Sequence, residues 1–481
     1  MMFFRVSLMA AAAAATVALT GCSTAPAPKQ SEVPLSSGFA NAPQGDAATL
    51  AQAPVGRFWQ GFNDTGLDAL VARALQANTD LRVAAANLRE ARALSRFADA
   101  QLFPTVDLNA GAARVRARDD QGNPQTNNAF SVGFDVRWEA DLFGRLSDER
   151  RAAAADLLAG EAGLRSAQVS VAAEVARNYF ELRGLQEQLR VARQSLETQQ
   201  GALKLVAGRQ EAGRGTGFDT ERARSLVQST AATIPALEMS LARTRYRLAV
   251  LTGQPPTALD VELSDVKPLP GLRTIALDRI GTPEDLLRRR PDVRAAEAQV
   301  AAAAARVGVA RAAMFPRITL GGTIGQNASR IGDLNDGPAY AYNLGAQLVW
   351  NLLDFGRIRA QIAAADARNE AAFASYERTV LAALEETEGA LVTYNRSQQQ
   401  AQALFDAAVS AERAANIARE RFKVGISDFL AVLDAERELL TARNQLAQSQ
   451  TAAATSLVGV YKALAGGVEA DAPVQAQATM R

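Results

Sequence analysis

The chain is written twice. Phe103-Pro104 recurs as Phe315-Pro316, Trp138 as Trp350, and Phe143-Gly144-Arg145 as Phe355-Gly356-Arg357. Asp80 recurs as Asp292 and Gly213 as Gly425, and each of these pairs is 212 positions apart. Landmarks that hold one register over more than 130 residues, without a gap, mark two copies of one structural unit. The copies are expected at 67–253 and 282–465, with an inter-repeat segment at 254–281 and a tail at 466–481.

Each copy reads as four parts. The first is a helix. Val293, Ala296, Val300, Ala303, Val307, Ala310 and Met314 step alternately by three and four, as do Leu81, Ala84, Leu88, Ala91, Ser95, Ala98 and Leu102. That is a coiled-coil seam in which large residues alternate with small ones. Pro104 and Pro316 end it, because proline lacks an N–H and restricts the residue before it. The second part is a pair of strands, expected at about 105–116 and 129–140, and again at about 317–328 and 339–350. Phe130, Val132, Phe134, Val136 and Trp138 alternate with Ser131, Gly133, Asp135, Arg137 and Glu139. This period of two gives one apolar face and one polar, glycine-rich face. Each run is roughly as long as a tilted strand that crosses a bilayer. The third part is a helix of about 145–211 or 357–423, on the order of 100 Å long at ~1.5 Å per residue. The fourth returns after a turn at Gly213 or Gly425, over about 219–252 and 428–464.

Four strands per chain cannot close a barrel, and open edges in lipid leave backbone groups unpaired at roughly several kcal/mol each. The subunit must therefore oligomerise, though the residues alone say only that more than one copy is needed. Apolar-out and polar-in alternation describes the wall of a water-filled pore. Trp138 and Trp350 fall at the helix-side ends of the strands, and Tyr340 and Phe130 at the far ends, where an aromatic girdle would stand. The alternative, a soluble hairpin with core aromatics, lacks a sandwich to bury it.

Composition narrows the function further. Lys+Arg is 52 against Asp+Glu 51, a net charge of +1, which gives no electrostatic case for nucleic acid. There is no His, which removes the commonest general base and metal ligand. The single Cys permits neither an intrachain disulfide nor a cysteine metal cage. No catalytic constellation emerges, so the chain is expected not to be an enzyme and to need no cofactor. Asp354-Phe355-Gly356 spells a kinase tripeptide, but its repeat partner Leu142-Phe143-Gly144 lacks the Asp. Glu385-Glu386 and Glu388 read as a solvated or intersubunit ion-pair face.

The N-terminus offers a lipid. Arg5 precedes a run of small and apolar residues from Val6 to Leu19, too short to span a membrane and typical of a secretory signal over 1–21. Leu19-Thr20-Gly21-Cys22 resembles the lipobox of bacterial lipoproteins, in which the cysteine is acylated. An ordinary signal with a chance cysteine is the alternative. An Asp after the cysteine would resemble an inner-membrane retention signal, so Ser23 leans toward outer-membrane sorting. Residues 22–66 are expected to form an acylated tether.

Longer motifs add a family. Arg290-Pro291-Asp292-Val293-Arg294-Ala295-Ala296-Glu297, running on to Ala312-Ala313-Met314-Phe315-Pro316, carries the resemblance. Leu251-Thr252-Gly253-Gln254-Pro255-Pro256 and Gly425-Ile426-Ser427-Asp428-Phe429-Leu430 extend it. From about Trp59 to Gly467 the chain resembles the TolC-type outer-membrane factors, and within them the NodT-like lipoprotein subunits of RND efflux systems. The resemblance implies a mainly helical homotrimer with a 12-stranded membrane barrel and a 12-helix periplasmic tunnel. It implies a passive exit duct for small molecules, docked to a periplasmic adaptor and an inner-membrane RND pump. A duct for type I protein secretion is the alternative on the same fold. It also implies a gate at the turns between third and fourth helices. Asp434 and Leu430 occupy its constriction, and Arg421 and Asp428 are placed to latch it. Three converging Asp434 carboxylates repel unless a cation or proton enters.

Overall fold

The computed structural model describes residues 25–26, 33–41, 57–118, 121–122, 124–269, 281–335 and 340–464. Cys22, the signal segment and the tail lie outside these. Among the described residues the order is α1 (Thr65–Ala77), α2 (Thr79–Ala100), β1 (Thr105–Arg118), β2 (Pro124–Ala140), α3 (Arg145–Glu211) and α4 (Gly217–Leu251). The second copy gives α5 (Pro283–Arg289), α6 (Pro291–Ala312), β3 (Arg317–Ala328), β4 (Tyr340–Val349), α7 (Arg357–Lys423) and α8 (Phe429–Ala463). Both long helices have 67 residues, and both returning helices have 35.

Three expectations need correcting. Residues 57–66 are not tether: Phe58–Phe62 form a 3-10 turn, and Phe58, Trp59 and Phe62 are buried. Each copy also opens with a short helix, α1 or α5, ahead of the seam helix. The first hairpin is longer than its apolar alternation, with β1 reaching Arg118 and β2 starting at Pro124. Backbone pairing carries the ladder past the last apolar residue, because the hydrogen bonds do not depend on side-chain polarity.

The chain divides into two compact units. One takes the described residues of 86–161 and 295–378 and holds the sheet. Its strands pair antiparallel in the order β1-β2-β3-β4, leaving β1 and β4 as edges. The register sets Leu108 beside Phe134, Phe134 beside Ile324, and Ile324 beside Tyr342, so one apolar face runs across all four strands. Gly133 stands opposite Gly325. A Cβ on Gly133 would lie 2.8 Å from the Ile324 carbonyl oxygen, so this close approach requires glycine. Each long helix begins on a carboxylate. Asp141 accepts from the amides of Leu146 and Ser147, and Asp354 from those of Gly356 and Ile358. Both satisfy helix-start donors at the positive end of the dipole.

The other unit takes the described residues of 33–85, 162–294 and 379–464. Its main core joins Phe58, Phe62, Leu67 and Leu70 to Tyr179, Phe180, Leu248 and Leu457. Phe58 stacks on Tyr461 with centroids 5.2 Å apart. Each such side chain removed from water contributes roughly 1.5–3 kcal/mol. Here the seam helix meets the returning helix through a contact made twice. Asn78 Nδ2 donates to the Leu251 carbonyl at 2.9 Å, and Arg290 Nη1 donates to the Ala463 carbonyl at 2.8 Å. Donors and acceptors keep the repeat spacing. The second joint is heavier, because Arg290 also grips Asp292 and Glu386, and Lys462 reaches Glu386 at 2.9 Å. Glu388 accepts from the Ala40 amide at 2.7 Å. Glu386 and Glu388 therefore have partners within the chain, where a solvated or intersubunit ion-pair face is expected from the sequence.

Burial alone would raise the carboxyl pKa of Asp292 and Glu386. The bonds and charge of Arg290, with Lys462 on Glu386, overcome this and hold both below their ordinary 3.8 and 4.5. Depressed carboxylates contribute stability that is complete above those ordinary values and is lost as pH falls through the folded ones. Resistance to urea should therefore fall below about pH 4.5 in the wild type. Arg290→Met should cost about 2–3 kcal/mol at pH 7, less than the ~3–5 of a fully buried pair because both carboxylates keep water contact. The variant should also lose much of the acid dependence, read as the shift of the urea midpoint with pH.

Candidate functional site: an open sheet and a helical tip

The sheet has one face suited to lipid. Its apolar face is bare in a single chain, with Leu344 86% exposed and Tyr342 76%. Trp138 lies on this face near the end of β2, and Trp350 lies one residue beyond the end of β4. Both indoles also do structural work: Trp138 Nε1 donates to the Leu102 carbonyl at 2.9 Å, and Trp350 Nε1 to the Met314 carbonyl at 3.0 Å. These acceptors are again 212 positions apart, in the turn where a proline has stopped the helix. An indole pairs its N–H and leaves its ring on the apolar side, which suits a membrane interface. At the far end Tyr340 and Tyr342 have centroids 6.3 Å apart, and Phe130 is half-buried on β2. The opposite face is polar. Arg137 Nη2 meets Asp107 Oδ2 at 2.9 Å, and Asn109 Nδ2 donates to Asp135 Oδ2 at 2.5 Å.

The tip lies in the other unit. Each turn ends its long helix in the same way. Gly213 has φ 71° and Gly425 φ 79°, and the amides of Arg214 and Ile426 reach back to the carbonyls of Arg209 and Arg421. This closure needs a left-handed residue, which glycine supplies. A small core of Val206, Leu226, Phe422, Phe429, Val432 and Leu433 holds the two turns together. Leu430 and Asp434 are one turn apart on α8, both exposed and directed away from that core. In the first copy the same positions hold Phe218 and Arg222, with the guanidinium 5.3 Å from the ring centroid. Asp428 caps α8, accepting from the Ala431 amide at 3.1 Å. Arg421 is exposed and is not paired with Asp428 within the chain.

Two tip residues escape sequence reasoning. Arg209 lies over the Phe422 ring at 4.1 Å and donates to the Phe422 carbonyl at 3.1 Å, so it ties the first turn to the second. The repeat could have found it, since Arg209 is the counterpart of Arg421. Glu436 is 5% exposed, with Arg419 Nε 3.0 Å away. Burial raises its pKa against the opposing charges of Arg419 and Arg443.

An open four-stranded sheet with one bare apolar face, in a chain with helices of this length, is the architecture of a membrane-channel component. The chain belongs to the outer membrane efflux protein family, whose sequence profile matches residues 70–254 and 282–466, one stretch per copy. The pyoverdine export outer membrane protein OpmQ of Pseudomonas putida is 34% identical over 469 residues, covering 96% of this chain and 97% of its own. The solved outer-membrane channel OprN superimposes with a TM-score of 0.85 at 35% identity, covering 93% of this chain and 99% of that one. The open state of the Neisseria gonorrhoeae MtrE outer membrane channel superimposes with a TM-score of 0.82 at 27% identity, over 94% and 99%. The protein is an outer-membrane channel component for efflux.

Arg209→Met removes the carbonyl hydrogen bonds and the ring contact but keeps the aliphatic stem. The tie should weaken by about 1.4 kcal/mol, roughly one charge-assisted bond. Hydrogen exchange at the Gly425 and Ile426 amides should then accelerate about tenfold, with the main core unchanged.

Proposed function

We propose that three copies of this chain form the exit duct of a tripartite efflux system. Each supplies four strands to a 12-stranded barrel, and its helices line a periplasmic tunnel. The observation that carries this reading is the bare apolar sheet with both edges open. Exposed apolar residues on α2, such as Phe97 at 62%, also await a partner. Cys22 carries the acyl chains that anchor the mature N-terminus in the outer membrane. Trp138, Trp350, Tyr340 and Phe130 form the aromatic girdle. A periplasmic adaptor and an inner-membrane RND pump deliver small molecules to the duct, which spends no energy itself.

The tip is the gate, with Leu430 and Asp434 lining its constriction. Arg421 and Asp428 latch it, and the pseudo-repeat supports Arg421 in this role. Arg209 ties its turn to the carbonyls of the other copy within one chain. Arg421 is placed to do the same to the first-copy turn of a neighbouring chain. Arg222, at the position matching Asp434, tempers the repulsion among the carboxylates.

The test is planar-bilayer conductance of the detergent-purified protein beside Asp434→Ala. Stepwise channels are expected, small in the wild type and larger or less sensitive to divalent cations in the variant. Channels unchanged by the substitution would move the gate elsewhere. Mass spectrometry of the mature chain should find Cys22 acylated, and Cys22→Ser should lose the modification.

A further inference from the structure

The outward face of the sheet changes character along β1. Val106, Leu108, Ala110 and Ala112 stand on the apolar face beside Val136, Phe134, Val132 and Phe130. The same alternation then puts Arg114, Arg116 and Arg118 on that face, all exposed. Their neighbours across the ladder are Asn128, Thr126 and Pro124, so no carboxylate stands opposite. Among the described residues none of the three forms an ion pair, and the hydrogen bond of Arg118 is to the Gly122 carbonyl at 2.8 Å. The second copy keeps only the last of the three: Gln326 and Ala328 occupy the positions of Arg114 and Arg116, and Arg330, beyond the end of β3, that of Arg118. A run of three arginines on one strand face is therefore a property of β1 and not of the duplicated unit.

Its depth can be reckoned. Trp138 and Phe130 are eight residues apart on β2, about 26 Å along the strand at ~3.3 Å per residue. A tilt of about 40° makes that roughly 20 Å of membrane thickness, most of the ~25 Å apolar band of a barrel. Arg114 pairs two residues beyond Phe130 and Arg118 six beyond, which places them about 5 to 15 Å above the far girdle. An arginine on the lipid face at mid-membrane costs ~2–4 kcal/mol, but at this height the cost has faded and the headgroups begin.

We propose that Arg114, Arg116 and Arg118 bind the phosphate groups of an outer-leaflet glycolipid, one lipid contact on the outward face of each subunit. Guanidinium suits this partner because its planar fork meets phosphate oxygens in pairs and it sheds water more readily than ammonium does. Free anions from bulk water need not approach a surface that continues a lipid-facing wall, whereas a membrane glycolipid brings its phosphates to this depth beside its acyl chains. The proposal rests on the reading that the sheet is inserted with its turns facing outward.

The experiment uses the full-length assembly in detergent micelles and two probes, lipid A with both phosphates and the same lipid dephosphorylated. Native mass spectrometry should show the wild type retaining the phosphorylated lipid at least tenfold over the dephosphorylated one. Arg114→Gln/Arg116→Gln/Arg118→Gln should abolish that preference, and the matching triple Lys variant should recover part of it. Equal retention of both lipids by the wild type overturns the proposal. So does a triple Gln variant that keeps the preference, or one whose assembly dissociates, because the ladder would then serve a neighbouring subunit. Insertion is tested separately with Arg116→Cys in intact cells. Labelling by a membrane-impermeant maleimide supports the outward orientation. No labelling overturns the insertion reading and the proposal with it, while labelling without lipid preference overturns the proposal alone.

Discussion

Along β1 and β4, the backbone groups that point away from β2 and β3 have no ladder partner among the described residues of one chain, over strands of 14 and 10 residues. In water such edges are tolerable. In hydrocarbon each unpaired group costs several kcal/mol, so an open sheet with an apolar face is viable there only when closed on further strands. Among the described residues no helix is long and apolar enough to cross a membrane, and the proposed duct sets the sheet, with its bare apolar face, in the bilayer. The same constraint explains why the sheet is so bare. In the proposed barrel the apolar face has lipid as its solvent and the polar face lines a wet channel.

Duplication supplies the joints. The Trp138 and Trp350 indoles pin the strand ends to the turns after the seam helices, and Asn78 and Arg290 pin the seam helices to the returning ones. The copies have since diverged where their surroundings differ. Asn78 makes one neutral bond to its helix end, while Arg290 stands in a network with two carboxylates and a lysine. At the tip, Leu430 and Asp434 occupy positions that hold Phe218 and Arg222 in the first copy. A duplicated scaffold can thus place unlike side chains at matching positions without disturbing the backbone.

How far the sequence is legible follows from the range of the forces involved. The long helices, seam and strand faces are written in short periods, so Val293 to Met314 and Phe130 to Trp138 could be read directly. The buried turn at Phe58–Phe62 was missed because it directly follows a Pro-, Ser-, Gly- and Gln-rich stretch, and only its contacts with Phe180 and Tyr461 make it core. The polar ends of the first hairpin were missed because the ladder runs on through Gln125 to Asn128, where the apolar alternation has ended. Arg209 escaped notice because its acceptor lies 213 residues away, beyond any local pattern. Asp434 and Leu430 could be placed only through family resemblance, since an exposed Asp on a helix otherwise reads as solvated.

The central claim is that the open sheet is one third of a closed wall. Native mass measurement of the detergent-extracted full-length protein addresses it most directly. The account predicts three chains per particle, held together in detergent and lost from solution when detergent is removed. A stable monomer that stays dispersed without detergent would contradict it, because the exposed apolar face and the two free edges would then have no membrane to answer to.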